Sequence, residues 1–131
     1  LAGWDGVHVG QGDLSPEDAR RVVGPKRWIG ASTHTDEQVR LAEAGCADYV
    51  AVGPVFSTGT KLDAESVIGL EGVRRERGRT SKPIVTIGGI TRANARSVVD
   101  AGADSVAVIG GLFAEGESVE KVAGDFLGIL G

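Results

Sequence analysis

The chain has 131 residues with a net charge of −4; 41% of residues are hydrophobic and 24% charged, enough for one domain around a single core. The acidic balance argues against a broad nucleic-acid surface, and no apolar run approaches the ~18 residues of a membrane span. The one cysteine, Cys46, excludes an internal disulfide framework and points to a reducing, cytoplasmic setting.

In chain order, Ala2-Gly3 reads as a helix end, and a Val-rich strand runs from it to Gly10. His8 lies inside that strand and is expected to be a satisfied core histidine. Gln11 and Asp13 follow it. Ser15-Pro16-Glu17 has the N-cap, N1 proline and first-turn acid of a helix reaching about Val23. Trp28 to Ser32 is the second strand, with Ser32, Thr33 and His34 at its end. Thr35 to Ala44 is a helix with Val39, Leu41 and Ala42 on its apolar side. Tyr49 to Val52 is the third strand and delivers the stretch "GPVFSTGTKLD", Gly53 to Asp63. Leu70 to Arg77 is the third helix. Pro83 to Ile90 holds the fourth strand and Gly88-Gly89. Thr91 opens a helix to Ala101. The last strand ends at Gly110-Gly111, and Ser118 opens a helix to about Leu130.

Three stretches share one pattern: "AGWDGVHVG", "AGCADYVAVG" and "AGADSVAVIGG". Each is a helix end, a turn with Asp, a buried-type strand and a glycine. Five alternating strand–helix units imply an α/β domain with a parallel sheet and helices outside it. A (β/α)8 TIM barrel is the leading expectation and a doubly wound sheet the alternative. Five units do not close such a barrel. With no methionine and a first Ala-Gly that ends no visible helix, the sequence reads as one domain over 1–131, the last five units of a barrel without its N-terminal strands.

Barrel enzymes carry their sites on the loops after the strands, and every strand end here is chemically unusual. The glycine pairs Gly88-Gly89 and Gly110-Gly111 either form tight turns or let backbone N–H groups approach a phosphate. Thr58, Thr60 and Lys61 offer two hydroxyls and an ammonium to a second anion, or form an exposed turn. Asp13 is either a Mg²⁺ ligand or a cap. Gln11 either reads a polar ring edge or closes the turn. Ser32 is the side chain in its loop best placed to touch a substrate. His34 is either catalytic or a first-turn residue. Asp63 either orients Lys61 or caps the next segment. Cys46 falls at the opposite end of the strands, which argues against a catalytic thiol.

The motifs "DGVHVGQGD", "IGASTHT", "DYVAVGPVFSTGTKLDA", "GLEGVRR", "PIVTIGGIT" and "AGADSVAVIGGLF" together resemble the thiamine phosphate synthase family over essentially the whole chain. The resemblance implies a (β/α)8 barrel that joins an aminopyrimidine methyl diphosphate to a thiazole ethyl phosphate. Pyrophosphate leaves first, and the thiazole nitrogen captures a pyrimidine cation. It further implies that Thr58 and Thr60 contact the thiazole phosphate and Lys61 the diphosphate. Gly89, Ile109 and Gly110 cradle the thiazole phosphate by backbone groups. By the same resemblance Ser32 lies near the pyrimidine and pyrophosphate and Asp13 holds Mg²⁺; Gln11 remains a further substrate-binding candidate. Two departures stand out: a serine is frequent in the family where Gly110 stands, and Gly12 replaces a frequent Glu. The basic diphosphate contacts and second magnesium carboxylate are expected on strands outside this chain, which alone is expected to be inactive. The expected partners are phosphorylated small molecules, with no nucleic acid or membrane and with self-association left open. Rivals are a thiazole tautomerase on the same barrel, another phosphate-binding barrel, and a non-catalytic phosphate-ligand sensor.

Overall fold

The computed structural model describes residues 3–59 and 66–131. Five strands alternate with five helices: β1 (Gly6–Val9), α1 (Pro16–Val23), β2 (Trp28–Thr33), α2 (Asp36–Ala44), β3 (Tyr49–Val52), α3 (Gly69–Arg77), β4 (Ile84–Ile87), α4 (Ala95–Asp100), β5 (Ser105–Ala107) and α5 (Val119–Leu130). A 3-10 turn at Gly110–Leu112 follows β5. The strands pair in chain order, β1-β2-β3-β4-β5, and all are parallel.

Side chains alternate across a strand, and here the alternation separates two faces. Ile29, Ala31 and Thr33 on β2, Val50 and Val52 on β3, and Ile84 and Thr86 on β4 are buried. Ala31, Val50, Val52 and Ile84 meet Ala42 of α2, Val73 of α3, Ala95 and Val98 of α4, and Val122 and Phe126 of α5 in one core, while Ala19 and Val23 of α1 pack with Val9 and Ile29. All five helices therefore cover one face. The other carries His8, Gly30, Ser32 and Tyr49. Sequential strand order with helices on a single face is the wall of a barrel. A doubly wound sheet would reverse its order and clothe both faces.

Ser15 caps α1 by accepting from Asp18 N at 3.1 Å, and Ser118 caps α5 by accepting from Lys121 N at 3.2 Å. Thr35 and Gln38 form a reciprocal capping box on α2. Three expectations need correction. Helix α4 begins at Ala95, not Thr91, because Thr91 to Asn94 close a turn first: Thr91 N donates to Asn94 Oδ1 at 2.8 Å and Asn94 N to Thr91 O at 3.1 Å. Leu41 is 56% exposed; it follows Val39 by two residues, which share no helix face. The outer strands β1 and β5 are not fully buried, since each has one strand neighbour and one face without helices.

The N-terminal ends of the strands are tied by a repeated device. Asp48 Oδ2 accepts Ile29 N at 2.7 Å and Arg20 Nη2 at 2.5 Å; Asp104 Oδ2 accepts Ile84 N at 2.7 Å and Arg77 Nη1 at 2.9 Å. Each aspartate is the Asp of an Ala-Gly repeat, and it joins the strand before it to the helix that precedes that strand. Lys82 Nζ adds three bonds of 2.7 Å to the carbonyls of Ala42, Gly45 and Ala47, closing the C-terminal end of α2 with a cation where the helix dipole favours one.

Candidate active site

The C-terminal strand ends bring most of the candidate residues to one rim. Gln11, Asp13 and Ser32 stand at the edge of a cleft of about 430 Å³ that runs from this rim into the helix layer, between Pro16 and Glu17 of α1 and Gln38, Leu41 and Ala42 of α2. Gln11 Nε2 donates to the Ser32 carbonyl at 2.5 Å, so the amide closes the β1 loop onto β2. Asp13 Oδ2 accepts Gly10 N at 2.8 Å. The carboxylate thus closes its own turn, and the cap of α1 is Ser15. Among the described residues no group of three or more His, Cys, Asp or Glu could hold a metal ion; Asp13 would act with substrate oxygens, as Mg²⁺ sites commonly do.

Strand β2 runs one residue beyond the expected end. Ser32 is therefore a strand residue on the uncovered face. Thr33 points the opposite way, is 1% exposed and donates from Oγ1 to Ala51 O at 3.0 Å, which turns it away from the uncovered face. His34 precedes the cap of α2. Its backbone N–H donates to Gln38 Oε1 at 2.8 Å, and its Nδ1 lies 2.9 Å from Gly53 O, tying the β2 loop to the start of the β3 loop.

His8 is corrected outright. It is not in the core but on the uncovered face. Its Nε2 lies 2.8 Å from Ser32 Oγ and its Nδ1 3.1 Å from the Tyr49 hydroxyl. Partial burial lowers its pKa, against the raising pull of the Asp13 charge, and burial raises that of Tyr49. Tyr49 escapes a motif-based reading altogether. The signal was available in strand parity: His8, Ser32 and Tyr49 project from the same face once Gly30 is set opposite both His8 and Tyr49.

The loops after β3, β4 and β5 pack onto one another through glycines. Val55 N donates to Ile87 O at 2.9 Å and Phe56 N to Gly88 O at 3.0 Å, continuing the β3–β4 ladder past the strand ends. Gly88 and Gly89 have φ of +99° and +64°, where a Cβ is strained. A Cβ on Gly89 would also lie 2.5 Å from Ser57 O, and one on Gly111 would lie 2.6 Å from Ile90 O. The glycines thus make tight turns and close packing, and the same turns set backbone groups at the rim. In the 3-10 turn, Leu112 N bonds Ile109 O at 3.1 Å and Phe113 N bonds Gly110 O at 3.2 Å; the amides that open such a turn have no carbonyl inside it. Ile109 is 58% exposed and Gly110 is exposed beside it. Thr58 is half-buried on the β3 loop. Thr60, Lys61 and Asp63 lie outside the described residues. Cys46 sits in the turn between α2 and β3, away from the rim.

Parallel strands in sequential order, a helix layer on one face and glycine-bearing loops at the C-terminal rim define a barrel-type α/β protein. A family model described as thiamine monophosphate synthase matches residues 1–112, and the chain belongs to that family. It is 54% identical over 129 residues to a thiamine-phosphate synthase from Koribacter versatilis, covering 98% of this chain and 60% of that relative. It is 50% identical over 105 residues to one from Moorella thermoacetica, covering 80% of this chain and 50% of the relative. A solved thiamine phosphate pyrophosphorylase from Pyrococcus furiosus superposes with a TM-score of 0.78 at 38% identity, covering 97% of this chain and 61% of that one. The chain therefore spans between half and two thirds of the length of these relatives.

Proposed function

We propose that the chain supplies the last five βα units of a single barrel domain that makes thiamine phosphate from an aminopyrimidine methyl diphosphate and a thiazole ethyl phosphate. The observation that carries this is the 54% identity over 129 residues to a thiamine-phosphate synthase. The rim geometry supports it. Backbone groups at Gly89, Ile109 and Gly110, with the hydroxyls of Thr58 and Thr60, bind the thiazole phosphate. Ser32 and Lys61 bind the diphosphate, and Gln11 holds Ser32 from behind. Lys61 stabilises the negative charge that grows as pyrophosphate departs, a task worth most in a site that excludes water. The pyrimidine cation left behind is then held within reach of the thiazole nitrogen, which forms the new C–N bond.

Asp13 is the Mg²⁺ ligand in this reading. Its carboxylate is a hard oxygen donor of the kind Mg²⁺ takes, and one oxygen is fixed by Gly10 N. Mg²⁺ when bound supplies charge neutralisation at the diphosphate. The partners are phosphorylated small molecules and the setting is cytoplasmic. Among the described residues no helix is long and apolar enough to cross a membrane.

The test is pyrophosphate release by the whole polypeptide. Release is expected only when both substrates and Mg²⁺ are present. Lys61→Ala is expected to slow it by about 10²- to 10³-fold while thiazole phosphate still binds. Isomerisation of a thiazole phosphate alone, without pyrophosphate release, would replace this reading with a tautomerase.

A further inference from the structure

We propose that Tyr49 and His8 form a one-way donor chain that aims the Ser32 hydroxyl, as a donor, at an anionic oxygen of the substrate. This deepens the reading above and rests on Ser32 lying at the diphosphate. Both His8 nitrogens are engaged by hydroxyls: Nδ1 lies 3.1 Å from Tyr49 Oη and Nε2 lies 2.8 Å from Ser32 Oγ. A neutral imidazole carries one N–H, so the three groups have two ordered states. In one, Ser32 donates to Nε2 and presents only lone pairs outward, which repel an anion. In the other, Tyr49 O–H donates to Nδ1, Nε2–H donates to Ser32 Oγ, and the Ser32 O–H is left to donate outward. An anionic ligand selects the second state. Each bond then polarises the next.

The backbone is built for this chain. The Ser32 carbonyl is fixed by Gln11 Nε2 at 2.5 Å, so the residue is held at its backbone as well as at its hydroxyl. Gly30 lies beneath the His8–Tyr49 contact: a Cβ there would sit 2.1 Å from Tyr49 Cζ and 2.5 Å from His8 Nδ1. The two rings, with centroids 5.7 Å apart, occupy the space that any other residue would fill. His8 and Tyr49 act through Ser32 and are positioning residues.

The experiment measures binding of inorganic pyrophosphate to the whole polypeptide and its Ser32→Ala, His8→Leu, His8→Gln and Tyr49→Phe variants. Ser32→Ala, His8→Leu and Tyr49→Phe are each expected to weaken binding about three- to tenfold, the range of one hydrogen bond. Tyr49→Phe is expected to cost nothing further in the His8→Leu background. His8→Gln is expected to restore binding, because an amide both donates and accepts. Side-chain ¹⁵N NMR of the pyrophosphate-saturated parent supplies a readout that needs no variant to fold: the His8 proton is expected on Nε2. A proton on Nδ1 alone would overturn the proposal. So would parental binding by His8→Leu and Tyr49→Phe alongside weakened binding by Ser32→Ala. Parental binding by Ser32→Ala would instead remove Ser32 from the diphosphate, and the reading of the site would fall with it.

Discussion

Gly89 and Gly30 show how one missing methyl can set a site. At Gly89 the backbone is left-handed and the space beside it is taken by Ser57 O and Phe56 Cβ. Gly89→Ala is expected to destabilise the fold by about 1–2 kcal/mol from the backbone conformation alone, more as the β3 loop is displaced, and to weaken thiazole phosphate binding. Urea titration and calorimetric binding read the two effects separately. Binding that survives intact would show that the amide at residue 89 does not touch the ligand. The sequence showed this glycine and its place in the loop. It did not show His8 correctly, because a histidine in a Val-rich run looks like core until strand parity is known. The partner that changes its meaning, Tyr49, stands 41 residues away. Ser32 and Thr33 make the same point: adjacent hydroxyls look equivalent in sequence, yet one lies on the uncovered face of the sheet and the other faces the core.

At the scale of elements, strong caps marked three helix starts; of the two helices without a side-chain cap bond, α3 was placed to within one residue and α4 was not. Ser15, Thr35 and Ser118 each accept a backbone N–H in the first turn of their helices, and all three starts could be read. Helix α4 has no side-chain cap bond at Asn94, and its start was misplaced at Thr91. The ties at the N-terminal face were not legible either, because Lys82 reaches carbonyls 35 to 40 residues earlier. Lys82→Met keeps the aliphatic stem but strips three charge-assisted bonds from the end of α2. A loss of about 1–3 kcal/mol is expected, read as a lower urea midpoint with an unchanged slope. An unchanged midpoint would mean that water replaces the ammonium without cost. Asp104→Ala is expected to cost a similar amount, since the N–H of the otherwise buried Ile84 loses its acceptor, while pyrophosphate binding at the opposite rim is unchanged.

For the whole molecule, acid stability follows from carboxylates whose pKa differs between the folded and unfolded chain. Hydrogen bonds from Arg92 and then Lys121 lower Glu117 from 4.5 to about 2, and hydrogen bonds from Thr80 and then Ser81 lower Glu43 from 4.5 to about 2. A lowered folded pKa contributes stability that is present above 4.5 and is lost as the pH falls toward 2. Glu76 has the opposite sign. Burial first, and then the neighbouring Asp36, raise its pKa, so its contribution is present at low pH and lost as the pH rises through its folded value. The net expectation is a urea midpoint that falls between pH 4.5 and 2, and falls less in Glu117→Gln. The overall architecture was the most legible level of all, because three Ala-Gly repeats and five strand–helix alternations fix strand order and direction. The make-up of the rim was less so. Backbone groups carry part of the rim, and they leave no trace in sequence beyond the glycines that admit them.

The central claim is that the C-terminal rim of the sheet binds the thiazole phosphate through the loops after β4 and β5. Amide NMR of the ¹⁵N-labelled whole polypeptide titrated with thiazole ethyl phosphate tests it most directly. Gly89, Ile109 and Gly110 are expected to shift together and saturate on one binding curve, while the amides of Ile29 and Ile84 at the other end of the sheet stay still. Saturating shifts confined to the N-terminal face or to the helix layer, with Gly89 and Gly110 unmoved, would contradict it.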